Sequence, residues 1–239
     1  MIPIDVERLR RGLPGRAIEY YPIVDSTMRV AAGRPLGSVI LAEEQTAGQG
    51  RHGHSWHSEP GTGIYLSIVL RPAPLLTMAL GLATAEAIAA VTGIACDLRW
   101  PNDVLVGGKK AAGILVQLSD GVAIGGIGIN VNQTAFPVEL AGIATSLRIE
   151  AWRQYSREEI LLALIPAIDS FAGLPDEAIL RLFAQASSYA CGRRVVVEQP
   201  EGVVRGVTCG LTDAGYLRVR QENGTDTVIV AGGVRAAGA

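Results

Sequence analysis

Lysine is almost missing from this chain. Of 21 Lys and Arg residues, only Lys109 and Lys110 are lysines, and they are adjacent. Arginine serves wherever else a cation is needed. A place that keeps lysine points to a need for a compact ammonium rather than a planar fork. The alternative is a surface turn that kept two lysines by chance. Cysteine is scarce too. Cys96, Cys191 and Cys209 are odd in number and have no C-x-x-C spacing. The three are expected to be reduced, buried thiols of a cytosolic protein. There is no excess of positive charge. A formal net charge of -2 argues against non-specific nucleic-acid binding, which needs a cationic surface. No apolar run approaches the ~18 residues of a membrane span. The opening "MIPIDVERLRRGLPGR" has no apolar centre of signal-peptide length, so the expected location is the cytoplasm.

What is present is apolar bulk. Hydrophobic residues make up 49% of 239, enough for a sizeable core in one large domain, or one domain plus an appendage. "GSVILAEEQ" and "GIYLSIVLRP" read as strands. "PLLTMALGLATAEAIAAVTG" reads as a largely buried helix that ends at Gly93. "DLRWPNDVLVGGKKAAGILVQL" reads as strand, turn at Gly107-Gly108, strand, and "GVAIGGIGINVN" as a further strand. Ser156 and Glu159 stand at capping-box spacing before another helix, and Pro175 opens one more. After Ala190 come short strands with turn signals between them. The expected fold is α+β: a mixed or antiparallel sheet flanked by helices over residues 1–190, and a small β-barrel of SH3-like type over 191–239.

The stretch "QTAGQGRHGHSWHSEPGTG", residues 45–63, holds all three histidines, His52, His54 and His57, among many glycines. "GQGRHG" matches G-x-G-x-x-G, but a dinucleotide fold needs a helix directly after it, and turn formers follow instead. "DVLVGGKKA" resembles a P-loop only at its end. H-x-H-x-x-H could ligate zinc, but no H-E-x-x-H helix or nearby cysteine completes a site, so no metal ligand is assigned. A solvated surface loop is the blander reading. Against it stand Arg51 and Trp56, a fork donor and a large aromatic in a flexible segment, which suit a lid over an anionic or planar ligand. Glycine N–H groups and Arg51 suit phosphate or carboxylate. Lys110 adds a point charge, and Asn102, Asp103 and Asn130 fall at or near strand ends.

"AEEQTAGQGRHGHSW" resembles the biotin loop of biotin protein ligases, roughly A-E-x-Q-x-A-G-R-G-R-x-G-R-x-W. "RWPNDVLVGGKKAAGILVQL" resembles their K-W-P-N-D…K-x-x-G-I-L-x-E. "GGIGINVN" resembles G-x-G-I-N, "VDST" matches their opening D-S-T, and the C-terminal β segment also fits. Four motifs fall in the family's order. The resemblance implies ATP-dependent attachment of biotin, through biotinyl-5′-AMP and with Mg²⁺, to a lysine of a carboxylase's carrier domain. It implies that Ser26, Thr27 and Gln45 hold the ureido ring, and that Gly48, Gln49, Gly50 and Arg51 wrap the ligand. Trp56 packs on it, and Gly126 and Gly128 also line the biotin site. Lys110 meets the reacting carboxylate and α-phosphate. Asn102 and Asn130 stand with Arg51 and Lys110 at ATP, and Asp103 receives the incoming lysine. Gln49 and His54 stand where the family usually has arginine, and Met28 where asparagine commonly follows Ser-Thr. The beginning of the chain holds no helix-turn-helix, so the class without a DNA-binding module is expected, with no nucleic-acid or membrane partner, as monomer or homodimer. The rivals are a lipoate ligase or an octanoyltransferase of the same fold. A biotin carrier would need Met-Lys-Met, and neither lysine is flanked by methionine.

Overall fold

The apolar, β-branched runs of the first two thirds assemble a seven-stranded sheet in the computed structural model, which describes residues 3–199 and 202–237. Its strands are β1 (Ile18–Val24), β2 (Val39–Gln45), β3 (Ile64–Leu70), β4 (Asp97–Arg99), β5 (Asp103–Val106), β6 (Lys109–Ser119) and β7 (Val122–Ile129). They stand in the order β1-β2-β3-β7-β6-β5-β4. β1 and β2 are parallel, and every other pair is antiparallel. The helices are α1 (Val6–Gly12), α2 (Thr27–Ala31), α3 (Leu76–Thr92), α4 (Leu147–Ala151), α5 (Arg157–Ala172) and α6 (Asp176–Gln185).

Period-two alternation sorts the strand residues onto two faces. Val39 and Leu41 of β2, with Ile64, Leu66 and Ile68 of β3, join Leu80 and Ile88 of α3 and Leu164 and Ile168 of α5 in the main core. Ile40 and Val69 point the other way, where they meet Met28 and Ala31 of α2. β3 is therefore buried at every position. The helix ends follow the sequence signals. Gly93 caps α3 in the left-handed region at φ 73, and the Ser156 hydroxyl accepts from Glu159 N at 3.2 Å at the start of α5.

The tail forms a second, five-stranded antiparallel sheet. It contains β8 (Cys191–Gln199), β9 (Gly202–Leu211), β10 (Leu217–Arg220), β11 (Asp226–Ile229) and β12 (Gly233–Ala236), in the order β11-β10-β9-β8-β12. Its inner residues Val195, Val197, Leu217 and Val219 continue the main core. Trp100 Nε1 donates to Gly215 O at 2.9 Å across the junction. No helix among the described residues is long and apolar enough to cross a membrane.

Two expectations need correction. "DLRWPNDVLV" is two strands, β4 and β5, because Pro101 has no N–H to give a ladder. The cysteines are not all buried. Cys191 is exposed, and Cys96 and Cys209 are half-buried; Cys191 and Cys209 pair at the end of the β8–β9 ladder, where its regular register stops.

Candidate active site

The α2 face of the first sheet carries a narrow slot. At its closed end the Ser26 hydroxyl is fully buried and has no hydrogen-bond partner among the described residues. Beside it the Gln45 amide oxygen accepts from Thr27 N and Thr27 Oγ1, at 2.9 and 3.0 Å. Its amide nitrogen donates to Ser58 Oγ at 3.2 Å. A buried hydroxyl left unpaired is costly unless something else satisfies it. This end of the slot is built for a ligand with both donors and acceptors. Met28 and Leu115, which belong to the α2-side cluster, make the walls apolar.

The glycine-rich segment is folded rather than loose. Trp56 N donates to Gly48 O at 2.9 Å, and Gly50 N donates to His54 O at 2.7 Å. A bridge joins Gln49 to Ser55, and a 3-10 turn at Arg51–Gly53 closes the tip with His52 at φ 54. This short antiparallel tie carries Trp56 over the sheet. Gly113 and Gly128, direct cross-strand partners on β6 and β7, form the floor beneath its ring. A Cβ at either position would run into the indole, and one at Gly126 would meet Met28 Sδ at 2.9 Å. Trp56 Nε1 is buried without a partner among the described residues. The space left in the slot is about 50 Å³, well below the roughly 300 Å³ at which small-molecule pockets begin, with the Trp56 indole seated over it.

The open end of the slot is charged. Asp103 begins β5 and Lys110 opens β6, across the turn at Gly107-Gly108. Lys110 Nζ lies 2.6 Å from Asp103 Oδ1 and 5.5 Å from the centre of the Trp56 ring. Arg99 reaches the other oxygen, with Nε at 3.1 Å and Nη2 at 2.7 Å from Oδ2. Burial pushes the Asp103 carboxyl up, but Lys110 and Arg99 outweigh it and hold it below its ordinary value. Arg51 Nη1 donates to Asn102 Oδ1 at 3.2 Å, and Asn102 Nδ2 donates to Ile114 O at 3.0 Å. Burial lowers the Arg51 guanidinium, with Asp103 opposing that shift.

Beyond Lys110 the slot opens into a cleft of about 660 Å³, large enough for a nucleotide. Arg51, Asn102, Asp103, Lys110 and Asn130 line it, as do the three histidines. Asn130 is buried, and its amide donates to Thr145 O at 3.0 Å, so it holds the wall as much as it faces the cleft. The other wall escaped the sequence reading. Phe136, Leu140 and Ile143 make an apolar side, and Glu198, Gln199 and Arg235 of the tail sheet make the far side. The apolar cluster in "AFPVELAGIA", directly after the strand ending in Ile129, was the available signal. The tail residues carried none.

Comparison with known proteins agrees with this geometry. The family model described as Biotin/lipoate A/B protein ligase family matches residues 21–133, and that of the Biotin protein ligase C terminal domain matches residues 190–234. The chain is 35% identical over 223 residues to a biotin--[acetyl-CoA-carboxylase] ligase of Mycobacterium tuberculosis, covering 87% of this chain and 82% of that one. It is 31% identical over 237 residues to the bifunctional ligase/repressor BirA of Bacillus subtilis, covering 90% and 73%. Among solved structures it resembles a biotin protein ligase from Aquifex aeolicus in complex with biotin and ATP. That match has a TM-score of 0.83 and 31% identity, over 92% of this chain and 99% of that one.

Proposed function

The chain belongs to the biotin protein ligase family, and from that premise we propose that it joins biotin to a carrier-domain lysine in two steps at this site. In the first, the biotin carboxylate attacks the α-phosphate of ATP. Pyrophosphate leaves, and biotinyl-5′-AMP remains. In the second, a lysine amine of a carboxylase's carrier domain attacks the mixed anhydride. An amide forms and AMP leaves. Ser26, Thr27 and Gln45 bind the ureido ring. Gly48, Gln49, Gly50, Gly126 and Gly128 shape the slot around the ring and chain. Lys110 and Arg51 stabilise the charge that gathers between carboxylate and α-phosphate. Asn102 and Asn130 line the nucleotide side. Trp56 and the lid exclude water, which would hydrolyse the anhydride. Asp103 orients the amine. Both its oxygens already touch cations, which favours orientation over proton abstraction. We place the division of labour at Ala190, with residues 1–190 catalytic and 191–239 closing the cleft.

Mg²⁺ comes to this site, on our reading, with the ATP phosphates. The residues present do not make a site of their own for it: Asp103 is committed to two cations, and Glu198 lies 3.4 Å from Arg235.

The observation that carries the proposal is the order of groups along one slot: an unpartnered buried hydroxyl at the closed end, apolar walls, then Lys110, then a nucleotide-sized cleft. A dithiolane or an alkyl chain has no use for the polar end. An octanoyltransferase needs a cysteine nucleophile, and none of the three cysteines lines slot or cleft. The test is ATP–pyrophosphate exchange with biotin, lipoate or octanoate, followed by transfer to an isolated carrier domain. Exchange driven by biotin alone is expected. Equal or better exchange with lipoate would overturn the assignment.

A further inference from the structure

Arg99 and Asp103 face each other across the β4–β5 ladder, so backbone register fixes their contact. Side-chain exposure is 22% for Arg99, 15% for Asp103 and 30% for Lys110, and two cations thus share one largely buried carboxylate. A one-to-one pair of Asp103 and Lys110 would serve badly. Each time Lys110 turned toward a substrate anion it would strand a buried carboxylate, which is costly. With Arg99 on the other oxygen, Lys110 is the surplus cation.

We propose that Arg99 is a positioning residue: by neutralising Asp103 it releases Lys110 Nζ to the reacting carboxylate and α-phosphate. This deepens the adenylation reading and rests on it. No bond forms or breaks in the exchange; Lys110 trades one anion for another while Arg99 stays. The charged groups around Asp103 are Arg99 on β4, Lys110 on β6 and Arg51 on the lid. His52, His54 and His57 of the lid and Glu198 and Arg235 of the tail sheet line the same cleft.

The experiment measures biotin-dependent pyrophosphate exchange against pH for wild type, Arg99→Lys, Arg99→Gln, Asp103→Asn and the double variant Arg99→Gln/Asp103→Asn. Arg99→Gln should lower kcat about tenfold or more while KM for biotin stays within about threefold. Its deficit should shrink as pH falls, because Asp103 without Arg99 takes up a proton at higher pH and, once neutral, no longer holds Lys110. Arg99→Lys should recover most of the rate and show a smaller deficit with the same pH trend. If Arg99→Gln melts below the assay temperature, that trend decides. Where Asp103 is already asparagine, Arg99→Gln should change kcat by less than about twofold. A deficit that does not shrink toward acid pH, or an equal loss in the asparagine background, overturns the role. Absence of exchange in the wild type would instead sink the adenylation reading itself.

A separate observation, in the tail sheet, carries a second inference. Cys191 and Cys209 are cross-strand partners on β8 and β9. Gly192, at φ 79, opens a bulge, and Arg193 N donates to Thr208 Oγ1 at 3.0 Å. On the other side Gly210 N donates to Ala190 O at 2.9 Å. The ladder bond therefore flanks the cysteine pair rather than joining it. This is the non-hydrogen-bonded kind of pair, with Cα atoms about 4.5 Å apart, within the range of about 4.4–6.8 Å that a disulfide spans.

We infer that Cys191 and Cys209 form a thiol-oxidation site that closes to an intramolecular disulfide. With hydrogen peroxide as oxidant, one thiol becomes a sulfenic acid and releases water. The second thiol attacks that sulfur and releases a second water. Two electrons pass from the sulfurs to the peroxide. The test treats the full chain with peroxide, blocks free thiols, and maps peptides without reduction. A linked Cys191–Cys209 peptide from monomeric protein, lost on adding dithiothreitol, with Cys96 still alkylated, is expected. Sulfinic acids or intermolecular dimers with no linked peptide would overturn the site.

Discussion

Lys110 sits where three demands meet: an ion pair with Asp103, the face of the Trp56 ring, and the mouth of the nucleotide-sized cleft. Its neighbour Lys109 is exposed. Strand alternation explains the difference, since successive residues of β6 point to opposite faces. Lys110→Arg keeps the charge but widens the head and spreads it over a plane. Biotin-dependent adenylation in a single turnover should fall at least about tenfold, a barrier increase of about 1.4 kcal/mol. Lys109→Arg should fall within about twofold of wild type. Equal tolerance of both would remove Lys110 from the reacting centre. The doublet was legible because lysine is rare in this chain. Arg99 was not, for the converse reason: where arginine is the default cation, one more arginine carries no signal.

Among the elements, the lid shows how far composition reaches. Its glycines, Arg51 and Trp56 were readable as a closing segment. Its folded form was not, because the Gln49–Ser55 tie consists of backbone bonds that leave no side-chain period. The short elements α1, α2 and β12 escaped for a related reason, each being too brief to establish a period. The glycine floor yields a test that separates fold from function. A glycine inside a strand costs roughly 0.5–1 kcal/mol relative to alanine, so Gly128→Ala should not weaken β7 by itself. It should push the indole off its seat. Thermal stability should stay within about 1 kcal/mol of wild type. Release of biotinyl-AMP should rise about tenfold or more, read as label on bystander proteins, with altered tryptophan emission. If Gly128→Ala retained its intermediate like the wild type, the packing of Trp56 on this floor would have no part in the lid's closure.

The whole molecule is held to its site from behind by a buried charge. Glu43, on β2 two residues before Gln45, accepts from Ile4 N at 2.7 Å, Tyr20 OH at 3.1 Å and Gly61 N at 3.2 Å. It also pairs with Arg157 at 2.7 and 3.2 Å. The N-terminal segment, β1, the end of the lid and α5 thus converge on one carboxylate. The sequence placed the cap of α5 correctly at Ser156. It hid Arg157, since an arginine in a helix's first turn reads as surface. The tail sheet's share in the cleft was hidden likewise, because short strands do not say which face meets a distant element. Removing one partner of a buried ion pair costs about 3–5 kcal/mol. Arg157→Met should therefore lower Tm by roughly 10 °C, and adding Glu43→Gln should restore part of it. Alkaline pH offers an independent check. Burial, with the Glu43 carboxylate, pushes the Tyr20 hydroxyl up to about 12, against about 10 in an unfolded chain. The folded state keeps a proton that the unfolded state gives up. That contribution is complete below pH ~10 and disappears as pH rises through about 12. Stability of the wild type should fall more steeply over that interval than stability of Tyr20→Phe. Tyr65 is raised as well, but it is present in both proteins, so the difference isolates Tyr20. Parallel alkaline limbs in urea melts would show that Tyr20 does not report on this hub.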